Sequence, residues 1–166
     1  MSHNHPPVLQ IVGHANSGKT TLITALINHL TGWGYQIGTV KHHAKDLEMD
    51  VPGKDSWLHR QAGASPVTLI TGNQAAVFYP TPPSLDLLLE HYQETDLVLV
   101  EGFKRAPFPK WAVLKDGEDP SWAKELVGLR AVVSPKKTKG WPVPSYRLNE
   151  TKAMAEAVRR FINENG

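Results

Sequence analysis

The chain has 166 residues, which is enough for one full domain and short for two. Its 40% hydrophobic and 20% charged residues are ordinary for a globular protein, and a net charge of +2 is too small to indicate a nucleic-acid-binding protein. The chain has no cysteine and no apolar run near the length of a membrane span, which excludes a disulfide framework and argues against a membrane protein.

The first half of the chain predicts strands and helices in alternation, after a tail over residues 1–7 that we expect to be flexible. The tail lacks the apolar core of a signal peptide, so we expect a cytoplasmic protein. Residues 8–12 form a short apolar run that is typical of a buried strand, and residues 20–30 carry apolar side chains at helical spacing. The next predicted elements are a strand at 35–40, a helix at 55–62, and a β-hairpin whose strands cover 67–71 and 75–79.

The second half continues the alternation and contains the clearest strand of the chain, residues 96–101. Its centre is apolar throughout, which indicates burial on both faces. The other predicted elements are a helix from Ser84, as its cap, to about 91, strands at 111–114, 129–133 and 145–148, and a closing amphipathic helix at 151–163 that faces inward through Met154, Val158, Phe161 and Ile162. The pattern predicts an α/β fold, with a mostly parallel sheet flanked by helices and a single domain over residues 8–166.

A phosphate-binding loop follows the first strand. It reads Gly13-His14-Ala15-Asn16-Ser17-Gly18-Lys19-Thr20 and matches the pattern G-x-x-x-x-G-K-[ST]. The glycines let backbone N–H groups approach phosphate oxygens, and the following helix directs its positive end at the same place. Lys19 is expected to reach the β- and γ-phosphates, and the Thr20 hydroxyl to bind Mg²⁺. Strand, glycine loop and helix together predict a P-loop nucleotide-binding fold.

A P-loop needs an acidic partner that helps to hold the metal, usually at the end of a neighbouring buried strand. Glu101 ends the clearest strand, and ligands bind beyond the carboxyl ends of parallel strands, so we select Glu101 over Asp96 at the strand's start. The alternative for Glu101 is a structural carboxylate paired with a lysine. Lys104 and Arg105 follow it directly and are candidate contacts for an anionic ligand or partner.

The segment from Lys41 to Ser56 is a second dense region, with four acids, three lysines and two histidines. A charged segment of this length in a compact domain is more often a binding or switch element than an idle connection. Asp50 and Asp55 are candidate metal or substrate contacts, and Asp55 is equally suited to cap the next helix. His42 and His43 are adjacent on an extended segment, so a surface or phosphate-contacting role is favoured over a metal site.

Four motifs together resemble the MobB family of molybdopterin-guanine dinucleotide biosynthesis proteins. They are the P-loop, Thr39-Val40-Lys41-His42, the run from Asp50 to Ser56 that contains Pro52-Gly53-Lys54-Asp55, and Leu99-Val100-Glu101-Gly102-Phe103-Lys104. The resemblance covers about residues 8–105 and is weaker beyond them.

The resemblance implies a homodimeric GTP-binding protein that uses Mg²⁺ and assists a MobA-type nucleotidyltransferase in attaching GMP to molybdopterin. It places the nucleotide loop on residues 13–21, which adds Thr21, and the acidic strand-end residue on Glu101. The candidate substrate or partner contacts are then Lys41, His42, Asp50, Lys54 and Asp55. GTP rests on the resemblance alone, because the loop after residue 133 has lysines and no aspartate that would read guanine.

Weak intrinsic GTPase activity is expected, since no water-positioning residue or arginine finger stands out and the catalytic contribution falls to Lys19 and Glu101. One alternative is a small-molecule P-loop kinase, although the arginines do not cluster as they do in a kinase lid. The other is a metal-insertion chaperone GTPase, suggested by His3, His5, His42 and His43.

Overall fold

A computed structural model describes residues 5–43 and 45–166 of the chain. These residues fall into two compact units. The first comprises residues 5–43 and 89–166, and the second comprises residues 45–88. The first four residues of the predicted flexible tail, which include His3, lie outside the described residues. No helix in the described part of the chain is long and apolar enough to cross a membrane.

The first unit contains a six-stranded sheet in the order β2-β5-β1-β6-β7-β8. Every neighbouring pair in this sheet is parallel, as predicted from the alternation of strands and helices. The strands are Val8–Val12 (β1), Ile37–Lys41 (β2), Leu97–Glu101 (β5), Lys110–Val113 (β6), Leu129–Ser134 (β7) and Ser145–Arg147 (β8). β1, β5 and β6 are buried along almost their whole length, because all three lie inside the sheet and are covered on both faces.

Two long helices pack on one face of this sheet, Lys19–Gly32 (α1) and Thr151–Asn165 (α5). Their apolar side chains join those of the strands in one core cluster, with Leu26 and Met154 fully buried. A second, smaller core cluster contains other strand residues, among them Val12 and Ala112. It also contains Ala123 from a short helix, Ser121–Lys124 (α4). The sequence pattern did not predict α4, since a single turn shows no helical periodicity.

The second unit is small and contains Asp55–Gln61 (α2) and an antiparallel hairpin of Val67–Ile70 (β3) and Ala75–Phe78 (β4). The hairpin confirms the predicted excursion near 67–79. Leu85–Leu89 (α3) follows it, and the predicted longer helix turns there into a 3₁₀ segment, Glu90–Tyr92. Ser84 caps α3 as predicted, since its hydroxyl accepts a hydrogen bond from the Leu87 amide at 3.2 Å.

Of the two alternatives for Asp55, the helix cap is wrong. Asp55 is the first residue of α2, and the extended residue before the helix is Lys54. Asp55 therefore lies in the first turn, where its charge faces the positive end of the helix dipole.

Candidate nucleotide site

The P-loop connects β1 to α1 and approaches the end of β6. A side chain on Gly13 would place its Cβ 2.4 Å from the Val113 carbonyl oxygen and 2.6 Å from Ser17 Oγ, so only glycine fits there. Gly18 precedes α1 with a φ of 96°, in the left-handed region that favours glycine. The two glycines of the motif are therefore required by the backbone of this loop, independently of any ligand.

Lys19 folds back over the loop. Its ammonium donates to the carbonyl oxygens of Gly13 at 3.0 Å and His14 at 2.8 Å. Burial lowers the pKa of Lys19, the negative charge of Glu101 works against that shift, and the charges of Lys41 and Lys115 add to it. A bound phosphate would supply the negative charge that this partly desolvated ammonium lacks.

Thr20 and Glu101 meet at the end of the sheet. Ile11 of β1 is in register with Glu101 of β5, so the P-loop and the acid leave neighbouring strands side by side. The Thr20 hydroxyl lies 3.3 Å from Glu101 Oε2, and Lys41 Nζ from β2 lies 3.4 Å from Oε1. The Glu101 carboxylate therefore faces the P-loop and also pairs with a lysine. Asp96 lies at the other end of β5, where it exchanges hydrogen bonds with the backbone of Gln36 at 2.7 and 2.8 Å.

Gln10 is a residue of the site that sequence reasoning missed. It is fully buried inside β1, and its amide nitrogen donates to the carbonyl oxygens of Gly102 at 3.1 Å and Phe103 at 2.7 Å. Both acceptors have positive φ, which Gly102 adopts freely at 97° and which is unfavourable for Phe103 at 51°, so outside hydrogen bonds help to hold this turn. A polar residue within an otherwise apolar strand is the signal that could have revealed it, since buried polar groups are usually hydrogen-bonded.

A second missed cluster borders the P-loop at His14. The His14 ring contacts the Glu118 carboxylate and packs edge-on against Trp122, at 4.9 Å between ring centroids. Glu118 also accepts hydrogen bonds from the Trp122 indole and the Lys115 amide, at 3.0 and 2.7 Å. The Lys104 ammonium lies 4.2 Å from the centroid of the Trp122 ring. The loop that follows β6 is therefore tied to the P-loop by side chains that no motif marks.

The Glu118 carboxylate has a pKa below its ordinary value. Burial acts in the opposite direction, and it is outweighed by the hydrogen bond from the Lys115 amide together with the bonds and charge of His14 and the bond from Trp122. The cluster thus favours an ionised Glu118.

Asp50 lies in the second unit, among donors from its own segment. Its carboxylate accepts from Ser56 Oγ and the Val51 amide, each at 2.9 Å, and from Arg60 Nε at 3.3 Å. Arg60 also forms an ion pair with Glu48 at 2.7 Å. The pKa of Glu48 lies below its ordinary value, mainly because its carboxylate accepts a hydrogen bond from the Asp50 amide and also because it accepts one from Arg60. These contacts favour a role for Asp50 in holding the 48–60 segment.

The remaining predicted site residues lie mostly at the surface. The His42 ring packs against Phe103 at 4.7 Å between centroids, and its amide donates to the Glu101 carbonyl oxygen at 2.9 Å. Thr21, Lys54, Asp55 and Arg105 are exposed. Ala44 lies outside the described residues. Within residues 5–43 and 45–166 no group of three His, Cys, Asp or Glu side chains could hold a metal ion.

Two buried polar atoms of the site have no hydrogen-bond partner among the described residues, Ser17 Oγ in the P-loop and Gln10 Oε1. An unpaired buried hydroxyl costs free energy unless a ligand completes it. Ser17 is therefore suited to an oxygen ligand inside the loop. A parallel sheet of this order, a P-loop between β1 and α1, and an acid at the end of the adjacent strand define a P-loop nucleotide-binding protein.

Comparisons with known proteins give the family. The model of the family described as MobB, molybdopterin guanine dinucleotide synthesis protein B, matches residues 8–135. A molybdopterin-guanine dinucleotide biosynthesis adapter protein from Haemophilus influenzae is 42% identical over 112 residues, which cover 65% of this chain and 63% of that protein. A probable adapter protein of the same description from Bacillus subtilis is 39% identical over 138 residues, 79% of this chain and 78% of that protein. The chain belongs to the MobB family.

Solved structures agree with this assignment along nearly the whole chain. Bacillus subtilis MobB superposes with a TM-score of 0.76 at 30% identity, covering 93% of this chain and 96% of that one. A MobB protein homolog from Bacillus stearothermophilus gives a TM-score of 0.74 at 26% identity, covering 95% and 99%. The predicted P-loop fold is therefore confirmed.

Proposed function

We propose that this protein is a GTP-binding accessory protein of molybdenum cofactor maturation, with weak GTPase activity. It would assist a MobA-type nucleotidyltransferase in attaching GMP to molybdopterin. The observation that carries the proposal is the approach of Thr20 to Glu101 beside a complete P-loop, in a chain of the MobB family. The family description supports the pathway, and the site geometry supports the nucleotide.

The site suits a magnesium-bound triphosphate. Mg²⁺ prefers oxygen ligands and is commonly held by one or two protein oxygens together with substrate phosphates. Thr20 Oγ1 and the Glu101 carboxylate supply oxygens 3.3 Å apart, and Lys19 and the free Ser17 hydroxyl face the phosphate side. Thr20 and Glu101 would hold the ion, which when bound neutralises charge on the phosphates. Asp50 remains a weaker metal candidate, because Ser56, Arg60 and the Val51 amide already occupy its carboxylate.

Hydrolysis is expected to be slow. Glu101 contacts Thr20 and Lys41, an arrangement that suits a metal-holding carboxylate better than a base that activates water. P-loop GTPases that are not stimulated by a partner turn over at roughly 10⁻⁴ to 10⁻² per second. We therefore propose that the protein acts mainly as a nucleotide-bound adaptor.

A homodimer is part of the proposal, because the second unit exposes apolar side chains on both faces of its hairpin. Leu69, Ile70 and Val77 are 42%, 74% and 48% exposed. An isolated two-stranded hairpin is marginally stable in water, so a partner surface would stabilise it. Exposed Lys54 and Asp55 in this unit, together with Lys41, His42, Lys104 and Arg105, remain candidate contacts for molybdopterin or the transferase. The cytoplasmic location also stays part of the proposal.

Replacing Lys19 with alanine tests the nucleotide site. Its charge-assisted hydrogen bonds to phosphate are worth about 1.5–3 kcal/mol, so GTP affinity should fall roughly tenfold to a hundredfold in isothermal titration calorimetry. Lys152→Ala, on the exposed surface of α5, should leave the affinity unchanged. Equal affinity of Lys19→Ala and the unaltered protein would place the nucleotide elsewhere.

A capture experiment tests the partner. The protein with a non-hydrolysable GTP analogue should retain purified MobA-type nucleotidyltransferase, and the Lys19→Ala variant should retain less. Failure of the nucleotide-loaded protein to bind the transferase would contradict the accessory role while leaving the nucleotide site intact.

A further inference from the structure

We infer that Asp116 reads the guanine base of the bound nucleotide, and that Lys136 positions its carboxylate. The inference rests on the proposed function, because it assigns base recognition within the same nucleotide site. Asp116 belongs to the loop after β6, and Lys136 to the loop after β7. Their side chains meet at 2.9 Å between Lys136 Nζ and Asp116 Oδ2.

The sheet order sets the direction in which the nucleotide extends. The metal-holding pair lies between β1 and β5, on one side of the P-loop strand. The terminal phosphates belong at this pair, so the nucleoside leaves toward the strands on the other side, β6 and then β7. Two strand spacings amount to about 10 Å, which is comparable to the reach of a nucleoside from its 5′-phosphate to the far edge of its base.

Contacts show that the loop after β6 borders the P-loop. The Val113 carbonyl at the end of β6 lies against Gly13, and Glu118 from the following loop contacts His14. The charge of Lys115 is also close enough to lower the pKa of Lys19, as a smaller contribution than burial. Asp116 stands between Lys115 and Glu118, at the rim of the same site.

Of the four carboxylates in residues 114–120, 135–144 and 148–150, which follow β6, β7 and β8, only Asp116 keeps a free oxygen. Glu118 is engaged by His14, Trp122 and the Lys115 amide. The other two acids are also engaged: both oxygens of Asp119 accept from Ser121, and those of Glu150 face the amide and guanidinium of Arg147. Asp116 uses Oδ2 for Lys136, and Oδ1 has no partner among the described residues.

The ion pair between Asp116 and Lys136 joins the loops after β6 and β7 at an open surface. The side chains are 60% and 80% exposed, and such pairs contribute little to stability. The loop after β7 is itself held by a hydrogen bond from Ser134 Oγ to the Lys136 carbonyl oxygen at 2.6 Å. This arrangement leaves one carboxylate oxygen open to solvent at the rim of the site, which suits a ligand contact.

A carboxylate distinguishes guanine from adenine by its hydrogen-bonding edge. Guanine presents two adjacent donors, N1–H and the 2-amino group, and an ionised carboxylate is an acceptor only. Adenine presents an unprotonated N1 at that place, which would face the carboxylate as a second acceptor. A site built on such a contact prefers guanine over analogues that lack the donors, because the free Oδ1 then receives no hydrogen bond from the base.

The aspartate that the loop after β7 lacks is therefore supplied by the neighbouring loop. Residues 133–139 contain lysines and no acid. The aspartate that pairs with Lys136 lies 20 positions earlier in the chain, so the sequence of this loop alone does not reveal it. Only the parallel register of β6 and β7 brings them together.

The test compares GTP, ATP, inosine triphosphate and xanthosine triphosphate by competition binding. The unaltered protein should prefer GTP over inosine triphosphate, which lacks the 2-amino donor, by roughly tenfold or more. Asp116→Asn should lose roughly tenfold to a hundredfold in GTP affinity and gain xanthosine triphosphate binding, because the asparagine amide can donate to the 2-carbonyl of xanthine. Its affinity for inorganic tripolyphosphate should stay unchanged, which shows an intact P-loop.

Asp119→Asn, the same substitution three positions along, is the control and should keep the base preference. Unchanged GTP selectivity in Asp116→Asn, with tripolyphosphate binding retained, would overturn the inference and leave the proposed function standing. Equal binding of GTP and ATP by the unaltered protein would instead contradict both together.

Discussion

Gln10 shows how one buried polar side chain shapes the nucleotide site. It lies in the strand that leads into the P-loop and holds two carbonyl oxygens of the turn after Glu101. The same turn is tied to β1 by a hydrogen bond from the Gly102 amide to the Ile11 carbonyl oxygen at 3.1 Å. Gln10 therefore helps to hold the turn that directly follows Glu101.

Replacing Gln10 with methionine, which has a similar shape, should destabilise the protein by about 1–3 kcal/mol, because two carbonyl oxygens with positive-φ backbone lose their donor. Urea unfolding measures this loss, and the magnesium dependence of GTP binding should weaken with it. Gln36→Met, at an exposed position, is the control and should change neither quantity. A Gln10→Met protein of unaltered stability would show that another group supports the turn.

At the scale of elements, the loop after β6 is a structural part of the site. It begins at Leu114 and leads into α4, and its Glu118 gathers His14 from the P-loop, Trp122 from α4 and the Lys115 amide. The ionised carboxylate is the form that accepts all of these bonds. The conformation of the loop is therefore coupled to the protonation of one side chain.

Glu118 should make stability depend on acid pH. Its pKa is lowered in the folded protein, so its contribution is fully present above the unfolded value of about 4.3 and is lost as the pH falls through the lower folded value. The free energy of unfolding should be higher for the unaltered protein than for Glu118→Gln at pH 7, and the difference should shrink as the pH falls through the lowered folded pKa. Glu94→Gln, on an exposed segment, should show no such convergence. A difference for Glu118→Gln that is constant with pH would contradict the coupling.

At the scale of the molecule, the two units differ in how they are stabilised. The first unit buries a continuous apolar core between its sheet and the helices α1 and α5. The second unit has few buried residues and leaves apolar side chains of its hairpin in water, a composition typical of a surface that associates. We therefore expect self-association to depend on the second unit.

Replacing Ile70 with glutamate should weaken a dimer by about tenfold or more, because a charge in an apolar interface loses its hydration. Analytical ultracentrifugation across a concentration series measures the change. Val127→Glu, at an apolar position of the first unit that is 83% exposed, is the matched control and should leave association unchanged. Equal effects of both substitutions, or a monomeric unaltered protein, would contradict a dimer built on the hairpin.

Much of the fold was predictable from the sequence, because its signals are local. Apolar runs indicated the buried strands, and helical spacing indicated α1 and α5 with their inward-facing residues. The P-loop was recognisable since its glycines and lysine are contiguous. The short helix α4 was missed for want of periodicity, and the cap of α2 was misplaced by one residue because aspartate suits both the cap and the first turn.

The phosphate loop, the parallel α/β architecture and Glu101 as its acidic neighbour follow from the order of residues along the chain. Three contacts appear only in the folded protein: Gln10 with the turn after Glu101, Glu118 with His14, and Asp116 with Lys136. The reason is physical: a motif is read along the backbone, where neighbours are fixed by covalent bonds. The three contacts join segments that lie far apart in the chain, up to 104 positions for His14 and Glu118. The register of the sheet brings these segments to the same edge.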